Sequence, residues 1–166
     1  MGAQVIGETL GRGFAGTYSR ENAYKVITGI AGAALTVGQA VKYDSNGKIV
    51  PMGASSTAAQ FLGVVVRNVK QATAIDQTVE TYAANEVVPV ITMGNVVVAV
   101  EGDTDSSRNG SAYIQITAGE VETVGAFTAA ADATLANTVQ LTNARFNGTR
   151  DADNLAELSI LYPINA

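Results

Sequence analysis

The sequence predicts a mainly β fold, a single-domain β-sandwich or β-barrel of short antiparallel strands, preceded by an extended N-terminal arm. About ten short runs rich in β-branched residues recur at intervals of about 8–14 residues. Polar turn residues separate these runs. No amphipathic stretch is longer than about two helical turns, which argues against a helical domain.

Residues 1–25 are predicted to form the arm and residues 26–166 the β-rich domain. Glycine stands at positions 2, 7, 11, 13 and 16, and the segment has neither a helical nor a strand period. Such a segment becomes ordered only where it lies against another surface. We expect its apolar and aromatic side chains to contact a partner. These side chains are Val5, Ile6, Leu10, Phe14, Tyr18 and Tyr24.

The domain is expected to open with a short strand at 26–28 and a lead-in to a second at 35–37. Residues 40–43 and 48–50 then flank the turn Asp44-Ser45-Asn46-Gly47. Asn and Gly tolerate a positive φ, so this pattern predicts a β-hairpin.

Valine-rich runs predict the central strands, at residues 61–69, 79–82, 87–91 and 96–100. The unbroken apolar runs at 64–66 and 96–100 are typical of strands buried on both faces. Pro89 predicts an edge position for its strand, because proline has no N–H to donate to a neighbour. Met93-Gly94-Asn95 is expected to turn the chain into the strand at 96–100.

The C-terminal half is expected to alternate loops with strands in the same way. The predicted elements are a polar loop at 101–110, a hairpin of 112–116 and 121–124, a short helical turn at 132–136, a strand at 138–141, a polar loop at 144–154 and a last strand at 155–163.

The composition disfavours an enzyme. The chain has no histidine, cysteine or tryptophan, so the commonest general base, the commonest metal ligand and the thiolate nucleophile are missing. We therefore expect no catalytic residues, no cofactor and no metal. The net charge of −5 would repel a nucleic acid, and no apolar run approaches the length of a membrane span. Only 15% of residues are charged, which favours extensive contact with protein surfaces.

One glycine pattern resembles a dinucleotide-binding motif. Gly11-Arg12-Gly13-Phe14-Ala15-Gly16 has the required spacing, but the motif works only between a strand and a helix that receives the pyrophosphate. The residues that follow do not open a helix. We interpret the glycines as part of an arm that lies flat on a neighbour.

Two carboxylate patterns have some features of a functional site. The Asp103-Thr104-Asp105 run alternates oxygen ligands like a calcium loop, but Arg108 and Ile114 stand where the loop requires Gly and Glu. A solvated turn fits it better. Glu120-Val121-Glu122 places two carboxylates on one strand face beside a glycine turn, which is typical of a solvated face rather than an acid–base pair.

Several phrases resemble the phage structural cement, or head decoration, family. The likeness extends over residues 10–125, about 70% of the chain, and no phrase matches in 126–166. The phrases are packing and turn motifs. They are Phe14-Ala15-Gly16 for the N-terminal segment, residues 37–44 and 47–51 for the opening hairpin, 61–65 for the next strand, and 86–94 with 96–100 for the strand pair after it.

This resemblance implies a β-rich protein on the outer surface of an assembled phage capsid. There it would bridge neighbouring subunits of the major capsid protein and resist the internal pressure of the DNA, usually as a homo-dimer or homo-trimer, after synthesis in the host cytoplasm. Another virion part, such as a tail or spike module, shares this composition. A carbohydrate-binding β-sandwich is a further alternative, but an aromatic content of 6% without tryptophan offers little platform for a sugar.

Overall fold

Eleven strands and two short 3-10 helices make up the part of the chain that the computed structural model describes, residues 13–19, 24–67, 81–118 and 123–162. The strands are β1 (Lys25–Ile30), β2 (Leu35–Thr36), β3 (Ala40–Tyr43), β4 (Ile49–Pro51), β5 (Gly63–Val65), β6 (Thr81–Tyr82), β7 (Val87–Glu101), β8 (Arg108–Gln115), β9 (Phe127–Thr128), β10 (Thr138–Asn147) and β11 (Leu155–Ile160). The 3-10 helices are Ala58–Gln60 and Leu135–Asn137. The expected mainly β class is confirmed.

Strand β7 is the longest described element, with 15 residues. Its first part pairs with β1 and β5, and its second part pairs with β11 and, in parallel, with β9. The turn expected at 93–95 is therefore wrong, because the chain runs straight through. Gly94 has a φ of 118°, which glycine adopts readily, and it keeps Ile160 as its partner on β11.

The expected edge position of Pro89 is also wrong, since β7 has β1 and β5 as neighbours there. The Pro89 carbonyl accepts a bond of 3.0 Å from the Val66 N–H. Proline cannot return the reciprocal bond to the Val66 carbonyl. The buried Tyr82 hydroxyl donates to that carbonyl instead, at 3.1 Å. A side chain thus replaces the missing backbone donor, which makes proline tolerable in a central strand.

Five strands close into a ring around the first hydrophobic cluster. The circuit runs from β7 to β11, β10, β8 and β9, and returns to β7. Closure leaves these strands without an open edge along the paired stretches. Buried side chains inside the cluster include Val96, Val98, Ile114, Phe127 and Phe146.

A second ring shares β7 with the first. It runs through β1, β7, β5, β3 and β4, and a parallel bridge between Ala31 and Ile49 closes it. Val65 packs in its cluster, whereas Val64 and Val66 pack in the first cluster. The apolar run at 64–66 is therefore buried on both faces, as predicted, because it separates two cores.

Of the remaining strand and loop predictions, some are confirmed and others are wrong. The hairpin of β3 and β4 is confirmed, and the short helical turn predicted at 132–136 corresponds to the helix Leu135–Asn137. The polar loop predicted from 144 is wrong, since β10 continues to Asn147 and pairs with β11 while it buries Ala144 and Phe146. Residues 121–122 lie outside the described part. Residues 123–126 are not a strand, and β8 pairs with β9 instead.

Candidate partner-binding surface

Residues 13–19 of the arm lie along the middle of β7. The Gly16 N–H donates to the Val97 carbonyl at 2.7 Å, and the Val97 N–H donates to the Thr17 carbonyl at 2.8 Å. The Ser19 N–H donates to the Asn95 carbonyl at 3.3 Å. These bonds fall between the stretches of β7 that pair with β5 and with β9. Residues 16–19 therefore bond to a stretch of β7 that pairs with neither β5 nor β9.

Gly16 lies in close contact with the domain. It is buried with a φ of 77°, and an added Cβ would lie 2.2 Å from Val37 Cγ1 and 2.9 Å from the Val65 carbonyl oxygen. The Arg67 N–H donates to the Gly16 carbonyl at 2.9 Å. The backbone at this position is therefore held on two sides, which fixes the short turn that begins at Phe14.

Phe14 projects from that turn and is 60% exposed. The Thr17 N–H and the Thr17 hydroxyl both donate to the Phe14 carbonyl, at 3.3 and 2.8 Å. The Arg67 guanidinium lies over the Phe14 ring, 4.5 Å from its centroid. Aromatic and arginine side chains are the types that dominate binding energy at protein interfaces. The pair therefore offers a solvent-facing apolar ring on a fixed backbone.

Tyr18 and Tyr24 form a second aromatic pair, with ring centroids 4.8 Å apart. They are 43% and 56% exposed. Burial of the Tyr18 hydroxyl, with a smaller contribution from Tyr24, raises the pKa of Tyr18 above its usual value. Both rings are thus amphipathic contact groups, with an apolar body and a polar tip.

The structure thus describes three of the six predicted contact residues, Phe14, Tyr18 and Tyr24, and all three are exposed. Phe14 and Tyr18 lie on the segment bonded to β7, and Tyr24 directly precedes β1. Val5, Ile6 and Leu10 lie outside the described residues. Their contact role, and the division into arm and domain, stay predictions. The sequence analysis did not identify Arg67 as a contact residue, because only the fold brings it to Phe14. Leu161 and Tyr162 were predicted as part of the last strand, but they follow it and are exposed.

The glycine pattern is not followed by the helix that a dinucleotide-binding motif requires. Gly11 and Arg12 lie outside the described residues, but Gly16 is followed by a segment paired with β7 and not by a helix. Gly16 instead permits close backbone contact, although the contacted surface belongs to the same chain.

The calcium-like loop is occupied by an arginine. The Arg150 guanidinium forms a salt bridge of 2.7 Å with Asp105 and donates to the carbonyl oxygens of Val100, Gly102 and Asp103. A cation there would displace these bonds. Glu120 and Glu122 lie outside the described part of the chain. In the part that is described, no three acidic, histidine or cysteine side chains are grouped to hold a metal.

One cleft has a volume of about 710 Å³ and lies between the β7–β8 loop and residues 128–137. Asp132, one of the carboxylates that line it, accepts bonds from the Thr134 N–H and from the Asn137 and Gln115 amides. These bonds, with the Thr134 N–H first, lower the pKa of Asp132. The carboxylate organises the loop and is not arranged as a proton donor.

Comparison with known proteins places this fold in a family. No curated protein matches the chain. A chain of the solved structure "The capsid of Myoviridae Phage XM1" is 20% identical, with a TM-score of 0.65 and 94% of each chain covered, and this likeness shows a shared fold. The family model "Structural cement protein (E217 gp24/Pam3 gp6)" matches residues 1–161. The chain therefore belongs to the phage structural cement protein family.

Proposed function

We propose that this cement protein binds the outer surface of the phage head and bridges neighbouring subunits of the major capsid protein. The family match over residues 1–161 carries the proposal. The exposed aromatic side chains on the arm supply a contact surface of the right chemistry. The protein acts in the virion as a structural component, and its contacts stabilise the shell against the pressure of the packaged DNA.

The arm contributes to binding because part of it is already ordered. Fixing a backbone costs roughly 1–2 kcal/mol per residue, and this cost opposes binding when a segment must order on its partner. Residues 13–19 are held by bonds to β7 and to Arg67 in the isolated chain. Burying the rings of Phe14, Tyr18 and Tyr24 then contributes about 25 cal/mol per Å² without that cost for this segment.

Each contact of this kind is weak, so the shell is stabilised by many such contacts acting together. One molecule that touches two capsid subunits, or that associates with further copies of itself as a dimer or trimer, converts separate weak contacts into a linked set. With a net charge of −5, the chain makes these contacts with protein and not with DNA. In the described part of the chain, no helix is both long and apolar enough to cross a bilayer.

The test is occupancy on purified heads that lack this protein. Phe14→Ala and Tyr24→Ala each remove an exposed ring. Phe14 also loses its contact with Arg67, and Tyr24 loses its contact with Tyr18, so each change should lower the free energy of unfolding by only about 0.5–1.5 kcal/mol. Occupancy, measured by co-sedimentation, should fall at least tenfold at a concentration that half-saturates with the unchanged protein.

Leu135→Ala is the matched control. Leu135 is 76% exposed and lies in the second 3-10 helix, away from the arm in sequence. It should bind heads as the unchanged protein does. Equal occupancy for all four proteins would reject the arm as the contact surface, and no binding by the unchanged protein would reject the capsid proposal itself.

A further inference from the structure

A chain of hydrogen bonds joins the arm to three strands of the first ring. The Ser19 hydroxyl donates to Glu157 Oε2 at 2.7 Å, and the Asn147 amide donates to Glu157 Oε1 at 2.8 Å. The same Asn147 amide reaches the Ser159 hydroxyl at 2.7 Å, and Ser159 donates to the Asn95 side chain. The Asn95 carbonyl in turn accepts from the Ser19 N–H. The network begins and ends on the same arm residue.

Glu157 is the unusual member of this network, because it is a charged residue that is only 2% exposed, on a strand that is otherwise apolar at its buried positions. Burying a carboxylate costs several kcal/mol unless polar partners compensate for the lost water. A leucine at this position would be buried without that desolvation cost. One of the partners that does compensate comes from the arm, so the side chain contributes most when the arm is docked.

The position of Glu157 on β11 supports this interpretation. Its register partner on β7 is Val97, the residue whose N–H and carbonyl both bond to the arm. The carboxylate therefore lies beside the point where the arm backbone is held. Ser19 is one residue from Tyr18, whose ring packs against Tyr24.

We propose that Glu157 is a latch that fixes the arm on the first ring and thereby presents the arm aromatic side chains in one position. Its link to capsid binding rests on the proposed function, whereas the latch itself is a property of the isolated protein. Charge-assisted bonds are stronger than neutral ones, which is the physical reason for a carboxylate here and not an amide.

Hydrogen exchange of the isolated full chain tests the latch. Ser19→Ala should speed exchange of the Gly16 and Val97 amides at least tenfold, since a bond to a charged acceptor contributes about 1.5–3 kcal/mol. The Val98 amide, in the β7–β11 pairing, reports on the ring and should change less than threefold. Arm amides within threefold of the unchanged protein would overturn the proposal.

Two further variants separate a latch from general destabilisation. Ser159→Ala removes a hydroxyl of the same network that does not contact the arm. Hydrogen exchange of the Gly16 and Val97 amides should therefore not become faster relative to that of the Val98 amide. Glu157→Gln keeps the shape and should give an intermediate acceleration, and Ser19→Ala should then add less than it does alone. Fully additive effects would contradict a shared bond. Faster arm exchange without loss of head occupancy would keep the latch and reject its role in binding.

Discussion

Replacing Gly16 with alanine tests how the arm is held. Gly16 has a φ of 77°, and left-handed backbone costs an L-residue roughly 1–2 kcal/mol. The added Cβ would also lie 2.2 Å from Val37 Cγ1 and 2.9 Å from the Val65 carbonyl oxygen. Overpacking of this kind costs about 1–3 kcal/mol more. We therefore expect Gly16→Ala to lower the free energy of unfolding by about 2–5 kcal/mol.

Gly47→Ala is the matched control for the backbone cost. Gly47 has a φ of 73° at the hairpin turn, but nothing lies within 4 Å of an added Cβ. Only the first cost applies there, so the two variants should differ by about 1–3 kcal/mol in chemical denaturation. In a protein of this size that difference is about 2–12 °C in Tm. Equal losses in the two variants would refute the close contact between Gly16 and the domain.

Three further predictions test the fold. Tyr82→Phe should cost about 1–3 kcal/mol, because the buried Val66 carbonyl opposite Pro89 loses its donor, whereas Tyr43→Phe removes an exposed hydroxyl and should be neutral in the same denaturation assay. Phe146→Ala should cost about 3–5 kcal/mol, and a loss below 1 kcal/mol would contradict its place in the first core. The Lys48 and Asn46 N–H groups lower the pKa of Asp44, so its contribution is present above the unfolded pKa of about 3.9 and is lost as the pH falls below it. Asp44→Asn should therefore reduce the loss of stability between pH 5 and 2, and an unchanged loss would contradict that assignment.

The features that the sequence predicted correctly depend on neighbouring residues. The β3–β4 hairpin forms because the Asp44 carboxylate accepts from Asn46 and Lys48 within the turn itself. The family resemblance likewise rested on such local turn and strand phrases.

The wrong predictions involve partners that are distant in sequence. Gly94 and Asn95 have turn chemistry, but β11 and the arm pair with β7 on both sides of them and keep the strand extended. Pro89 looked like an edge residue because the Tyr82 hydroxyl that replaces its N–H comes from another strand. A signal was present for β10, since Ala144 and Phe146 alternate with Arg145 and Asn147, as buried and more polar positions do in a strand.

The contact surface was only partly predictable. Exposed aromatic residues in a glycine-rich arm are visible in the sequence, and Phe14, Tyr18 and Tyr24 were identified from it. That residues 13–19 dock on β7 depends on how closely Gly16 approaches Val37 and Val65, and on a glutamate more than 130 residues away. Glu157 lies in the C-terminal stretch that resembled no family phrase.

The most direct measurement of the central claim is an electron-microscopy reconstruction of heads decorated with this protein. The proposed function predicts density for the two β rings outside the shell at a junction between capsid subunits, with residues 13–24 at the contact. Density confined to the tail or to the inside of the shell, or heads that reconstruct without any added density at saturating protein, would contradict it.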